Sequence, residues 1–194
     1  MWHIFFIMWV SGSWKWTLIK NLRKSKLDNI YIPLSYKTRN IRENEINWVD
    51  AHFINKETFY SSIQKWEFLE YAMLYDGDEL YGTKYKDLID NGIKKWKIVI
   101  KEIDINWLNR LKKEYPDFDK NYTTIFLDIP TNIFEKRIKK RGAFMNNDEF
   151  NRRKNTMIFE KKEAKKICNY IINANDDEKT ILNKVLKIIK EKLW

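Results

Sequence analysis

The chain has 194 residues, 44% of them hydrophobic and 33% charged, and carries a net charge of +10. That length suits one domain of ordinary size with small inserted lobes, able to bury a real core. The lone cysteine, Cys168, excludes an internal disulfide, and no apolar stretch is long enough to cross a bilayer, so the protein is expected to be cytoplasmic with no membrane partner. The positive balance invites a polyanion, either nucleic acid or a nucleotide phosphate. Much of it is nonetheless spread at helical spacing, as in Lys161-Lys162 and Lys165-Lys166, which is how a solvated helix face looks.

In chain order, residues 4–8 are apolar at every position, as a parallel strand buried on both faces should be. A helix is expected from Thr17 to about Lys24, and a short strand over residues 30–34, stopped by Pro33. Asn55 is placed to cap a helix running to about Lys65, with Ile54 and Phe59 as its hydrophobic staple. Residues 68–74 read as extended, Asp76-Gly77-Asp78 as a turn, and residues 86–91 as a helix stopped by Gly92 in the left-handed region. The apolar run Ile98-Val99-Ile100 leads to Glu102-Ile103-Asp104, a strand ending in two carboxylates. Further helices are expected over residues 108–114, over 131–141 with Thr131 as cap and Gly142 as stop, from Asn147 or Asp148 to Ile167, and at the C-terminal end. Strands are expected over residues 124–127 and 170–172. In the last helix Ile181, Val185, Ile188, Ile189 and Leu193 share one face. Strands alternating with helices predict a three-layer α/β fold on a parallel sheet.

The segment joining the first strand to the first helix carries the chemistry. Trp9-Val10-Ser11-Gly12-Ser13-Trp14-Lys15-Trp16-Thr17 has the layout of a phosphate-binding loop, G-x-x-x-x-G-K-[ST], with tryptophan at both glycine positions. The motif needs glycine so that its N–H groups can converge on an anion with no Cβ in the way. The chain holds 9 Trp and 5 Gly, which sum to 14, and average glycine usage predicts about 14 in such a length. The expectation is therefore that the gene's UGA codons specify glycine at Trp9, Trp14, Trp16, Trp48, Trp66, Trp96 and Trp107; the alternative is a genuinely tryptophan-rich protein. Lys15 would reach the β- and γ-phosphates of ATP as a compact charge. The position that usually ligates Mg²⁺ holds Trp16, which leaves Thr17 as the nearest hydroxyl for the metal, through water.

Other motifs extend this pattern over nearly the whole chain: Ser35-Tyr36-Lys37-Thr38-Arg39-Asn40-Ile41-Arg42, Glu67-Phe68-Leu69-Glu70-Tyr71-Ala72, Leu80-Tyr81-Gly82-Thr83, Glu102-Ile103-Asp104, Arg137-Ile138-Lys139-Lys140-Arg141-Gly142 and Asn175-Asp176-Asp177. In this order they resemble the guanylate kinases, among the nucleoside monophosphate kinases of the phosphate-loop superfamily. The resemblance implies a single kinase domain: a parallel-sheet core (residues 1–34, 84–130 and 154–194), a GMP-binding lobe (35–83) and a lid (131–153). It implies ATP-dependent phosphorylation of GMP, and of dGMP, in purine nucleotide metabolism, with Mg²⁺ as cofactor and small-molecule rather than nucleic-acid partners.

By the same resemblance Arg39, Arg42 and Tyr81 hold the GMP phosphate, Glu70 accepts from guanine N1–H and its 2-amino group, Ser35 and Thr83 complete the base contacts, and Asp104 forms the floor. The loop residues and Asn175 take ATP. Arg42, Arg137, Arg141 and Arg153 (Arg152 in another register) join Lys15 on the transferring phosphate. Arg137 and Arg141, four apart on a helix, share a face. Departures are Asp50-Ala51-His52-Phe53 where the family has tyrosine in the second place, and Glu102 where aspartate is commoner. Two other readings stay open: a guanylate-kinase-like interaction module without catalysis, and, more weakly, a basic nucleic-acid-binding protein, since the aromatic residues fall in core strands rather than an exposed stacking array.

Overall fold

The computed structural model describes residues 2–10, 13, 15–25, 27–43, 45–74, 79–114, 121–141 and 146–193, the side chains of Leu74, Glu114 and Arg141 excepted. Its elements are β1 (His3–Trp9), α1 (Lys15–Arg23), β2 (Ile30–Tyr31), β3 (Tyr36–Lys37), β4 (His52–Phe53), α2 (Lys56–Gln64), β5 (Phe68–Leu74), β6 (Glu79–Lys84), β7 (Ile98–Glu102), α3 (Ile105–Glu114), β8 (Tyr122–Asp128), α4 (Thr131–Arg141), α5 (Asn147–Ile167), β9 (Tyr170–Asn173) and α6 (Glu178–Leu193). The chain divides into two compact units, one of Met1–Trp2 with Asn29–Val99, the other of His3–Asp28 with Ile100–Trp194.

A five-stranded sheet has the order β2-β7-β1-β8-β9. The pairs β1·β8, β8·β9 and β2·β7 are parallel, as the expected α/β class requires. Ile4, Phe5, Phe6, Ile7 and Met8 are each 1% exposed or less, so β1 is covered on both faces. The helices of this unit pack in pairs, α1 with α6 and α3 with α5. Leu18, Ile19 and Leu22 are the buried face of α1, and Ile181, Val185, Ile188 and Ile189 that of α6, at the spacing read from sequence.

The smaller unit holds a four-stranded sheet of order β4-β3-β6-β5, with β3·β6 and β5·β6 antiparallel and β3·β4 parallel. Its core is Tyr36, Phe59 and Leu80, with Ile54, Ile63 and Phe68 packed around them. Asn55 caps α2 as expected, its side chain accepting from the Thr58 N–H at 2.8 Å. Gly82 permits a close strand approach, since a Cβ there would lie 2.6 Å from the Glu70 carbonyl oxygen.

Several expected boundaries move for local reasons. Gly92 is not left-handed: it has φ −106°, and it is glycine because a Cβ would meet the Leu88 carbonyl oxygen at 2.5 Å and Val99 at 2.8 Å. The segment before it is a π-helical turn, Lys86–Asp90, followed by a 3₁₀ turn, Ile93–Lys95. The left-handed residue that ends this segment is Trp96, φ 56°. Helix α3 begins three residues earlier than expected because the Asp104 carboxylate accepts from the Trp107 N–H at 2.8 Å. Thr131 is the first residue of α4 rather than its cap, and the Pro130 carbonyl accepts from Phe134. The expected turn at Asp76-Gly77-Asp78 and the Gly142 stop lie outside the described residues.

Candidate active site

In the smaller unit, strand register assembles a row of polar side chains. Tyr36 faces Gly82 and Lys37 faces Tyr81; carried one residue further, that antiparallel register sets Ser35 opposite Thr83. Thr83 in turn faces Glu70 on β5. All three are buried, at 8%, 1% and 6% exposure, and the Thr83 hydroxyl donates to Glu70 Oε1 at 2.6 Å. The two-residue period puts Tyr81 on the Thr83 face of β6 and Lys37 on the Ser35 face of β3. Strand register thus gathers several polar side chains at one buried place in an otherwise apolar lobe.

Just past the end of β3, Arg39 and Arg42 are tied to Glu45. Arg39 donates from Nη1 to Glu45 Oε2 at 2.7 Å and from Nη2 to Oε1 at 2.6 Å, and the Arg42 N–H donates to Oε2 at 3.1 Å. Burial alone pushes the Glu45 carboxyl up, but the hydrogen bonds from Arg39 and Arg42 hold it down at about 2. No sequence motif singled out Glu45; the only signal was an acid three residues after Arg42. Ala51, where the resemblance leads one to expect tyrosine, is fully buried.

In the larger unit, the strand–loop–helix segment runs from β1 into α1. Lys15 opens α1, and its Nζ lies 2.8 Å from Glu102 Oε2 and 3.7 Å from the centroid of the Trp9 ring. Val10 is fully buried and its N–H donates to the Leu127 carbonyl at 3.2 Å. Ser13 is also buried, and its Oγ has no hydrogen-bond partner among the described residues. A buried unpaired hydroxyl inside a loop of this type suits a phosphate oxygen. Trp16 is exposed and Thr17 half-buried in the first turn of α1. Ser11, Gly12 and Trp14 lie outside the described residues.

Arg137 on α4 meets Asn175, the guanidinium 3.5 Å from Asn175 Oδ1, so two expected phosphate-site residues converge from distant parts of the chain. Arg141 follows on the same helix, its side chain outside the description. Arg153 pairs with Glu149 of its own helix at 2.6 Å, and Arg152 is exposed. Asp104 serves α3 as its cap.

Glu160 on α5 was not read from sequence. Burial first, and the Asp104 charge second, push its carboxyl from an ordinary 4.5 up to about 8. The folded chain then keeps a proton that the unfolded chain releases above 4.5, so this group's contribution declines as pH rises from about 4.5 to about 8. Glu160→Gln should therefore raise the Tm at alkaline pH, above about 8, and change it little near pH 5. Thermal denaturation at both pH values checks this, and an equal shift at the two would remove the charge explanation.

A lysine at the start of a helix that follows a buried parallel strand, beside a buried Ser13 hydroxyl without a partner among the described residues, is the arrangement of the phosphate-loop class. The comparisons narrow the class. The guanylate kinase family model matches residues 5–192, and the chain belongs to the guanylate kinase family. It is 34% identical over 134 residues to the guanylate kinase of Wolinella succinogenes, a match covering 69% of this chain and 59% of that protein. The matches to the Helicobacter pylori guanylate kinases likewise span under two thirds of those proteins. With the guanylate kinase of Prochlorococcus marinus it is 32% identical over 181 residues, covering 93% of this chain and 92% of that one. The crystal structure of guanylate kinase from Anaplasma phagocytophilum is similar in fold, with a TM-score of 0.73 at 20% identity over 98% of this chain and 85% of that one. Among the described residues no helix is long and apolar enough to cross a membrane.

Proposed function

We propose that the chain is an ATP:GMP phosphotransferase that converts GMP, and dGMP, to GDP by direct in-line transfer, acting in cytoplasmic purine nucleotide metabolism. The observation that carries the base specificity is the buried row Ser35, Thr83 and Glu70. A guanine edge offers two donors to the Glu70 carboxylate, whereas adenine offers none there and so gives the buried carboxylate no hydrogen bond from the base. Arg39, Arg42 and Tyr81 take the GMP phosphate, and Asp104 stands at the floor of the site. Residues 9–17 and Asn175 take ATP, and Lys15 with Arg42, Arg137, Arg141 and Arg153 balances the charge of the transferring group. Positioning and charge suffice, so no covalent intermediate is needed. We also propose the division into a GMP lobe over residues 35–83 and a lid over 131–153.

The Thr17 hydroxyl in the first turn of α1, with the Glu102 carboxylate beside Lys15, suits Mg²⁺, an ion that takes most of its oxygens from phosphate and water. Thr17 would hold it through water, and when bound the ion neutralises charge on the β- and γ-phosphates. Phosphorylation assays with GMP, dGMP, AMP and UMP test the function. Turnover confined to the two guanine nucleotides is expected, and turnover of AMP or UMP at a similar rate would overturn the specificity.

We further infer that the native polypeptide carries glycine at the tryptophans named above. Backbone conformation supports this independently of composition. Among the described residues four that are not glycine have positive φ; one is Asn29, a residue type that tolerates it, and three are Trp48 at 66°, Trp66 at 56° and Trp96 at 56°. Trp66 follows α2 in a Schellman arrangement, with Trp66 N–H donating to Ile63 and Glu67 N–H to Ser62. Trp96 repeats it, with Trp96 N–H donating to Ile93 and Lys97 N–H to Gly92. Glycine is the residue this position favours. The three indoles are 65%, 90% and 63% exposed, so little packing offsets the strain. The conformational argument covers those three alone: Trp9 in β1, Trp16 in α1 and Trp107, buried in α3 with its ring 5.3 Å from that of Phe6, have no positive φ. Reading the seven codons is decisive, because UGG at these positions would end the proposal.

A further inference from the structure

The binding roles given to Arg39 and Arg42 leave Glu45 unused, although it is the acid these two arginines share. A guanidinium has five N–H donors in one plane. Nη1 gives one to Glu45 Oε2 at 2.7 Å and one to the Asn40 carbonyl at 2.8 Å, and Nη2 gives one to Glu45 Oε1 at 2.6 Å. Without a partner among the described residues are the Nε–H and the outer proton of Nη2. These lie on the same edge of the group and point the same way, a fork matched to two oxygens of a phosphate. The ring of Phe53 lies under the guanidinium, 5.1 Å from Cζ, and limits its tilt.

Glu45 is equally tied to Arg42. Its carboxylate accepts from the Arg42 N–H at 3.1 Å, and its own N–H donates to the Arg42 carbonyl at 2.9 Å. This reciprocal pair closes the turn on which Arg42 stands. The Arg39 and Glu45 side chains are only 11% and 8% exposed, so the ion pair is shielded from water and holds one geometry where a surface pair would wander.

We propose that Glu45 is a positioning residue for the phosphate of the nucleoside monophosphate, holding Arg39 by its far edge so that one two-pronged edge faces the ligand. The proposal rests on the reading of Arg39 as a phosphate ligand. It commits to a direction, since a carboxylate near a phosphate could equally act as a competitor for the arginine. A positioning role means that neutralising it weakens binding; a competing role means that neutralising it tightens binding.

Glu45→Gln is the informative change. The amide oxygen can still accept from the Arg42 N–H, while its NH₂ group opposes the Arg39 fork. Titration calorimetry on the full chain, with GMP and with guanosine, separates the roles, because guanosine lacks the phosphate. GMP affinity should fall about tenfold while guanosine affinity stays within about twofold. Arg39→Ala should do the same or more, and Arg39→Ala with Glu45→Gln should be no worse than Arg39→Ala alone, because Glu45 acts through Arg39. Glu45→Asp, which keeps the charge on a shorter arm, should fall between wild type and glutamine and serves if glutamine impairs folding.

Equal losses for GMP and guanosine would reduce Glu45 to a structural role and overturn the proposal, as would tighter GMP binding by Glu45→Gln or additive losses in the double variant. If Arg39→Ala leaves GMP affinity intact, the reading of the site fails first, whatever Glu45 does.

Discussion

Replacing Glu70 with glutamine is expected to raise the KM for GMP by about 10²-fold and to leave the KM for ATP nearly unchanged. Glu70 is buried at 6% exposure and already accepts from the Thr83 hydroxyl, so it presents an acceptor-only group where guanine presents donors. An amide of the same shape keeps one acceptor and turns the other into a donor. One guanine hydrogen bond is lost and a donor is left facing a donor, in a place where water cannot compensate. Hydrogen bonds to a charged group are the stronger kind, at about 1.5–3 kcal/mol each, which sets the size of the effect. Steady-state kinetics with each substrate varied in turn measures it. Equal losses for GMP and ATP would mean that glutamine disturbs the lobe as a whole, and Glu70 would lose its place as the reader of the base.

The second large effect belongs to the tryptophans. A chain carrying tryptophan at 9, 14, 16, 48, 66, 96 and 107 should fold its parallel sheet yet fail to bind ATP, whereas the chain with glycine at those positions should bind ATP and phosphorylate GMP. In the tryptophan form the Lys15 amine sits 3.7 Å over the Trp9 ring and 2.8 Å from Glu102. On the proposed reading the indole thus holds the cation that would meet ATP and would fill space its phosphates take. With tryptophan at both motif glycine positions the loop also cannot turn its N–H groups inward. The effects separate by position. Glycine at Trp9, Trp14 and Trp16 should restore ATP binding. Glycine at Trp48, Trp66 and Trp96 should act on stability, relieving about 1 kcal/mol of left-handed strain each, or roughly 6 °C in Tm for the three together. ATP titration, a coupled GMP-kinase assay and thermal denaturation on the partial and complete variants read these out. Equal ATP affinity in the tryptophan and glycine forms would defeat the argument, and an inactive glycine form would leave the non-catalytic module as the better account.

What the residues determined on their own was what depends on short-range pattern. The unbroken apolar run of β1, the helical spacing of Ile181, Val185, Ile188 and Ile189, and the Asn55 cap each follow from neighbours within a few positions, and they were legible without coordinates. So were the kinase motifs, whose residue types carry their chemistry wherever they stand in the chain. Tertiary structure decided what depends on residues remote in sequence or on backbone angles. Glu70 meets Thr83 only because two antiparallel strands adopt one register, and Arg137 meets Asn175 across 38 positions of chain. Gly92 read as a left-handed stop, yet it is glycine because Leu88 and Val99 leave no room for a Cβ. Glu45 and Glu160 had no motif to mark them; the first is defined by the arginine fork it closes and the second by burial beside Asp104. The tryptophans needed both sources. Composition raised the question of glycine, but a positive φ is a property of the folded backbone, and the chain had to be folded before Trp48, Trp66 and Trp96 could be seen to occupy it.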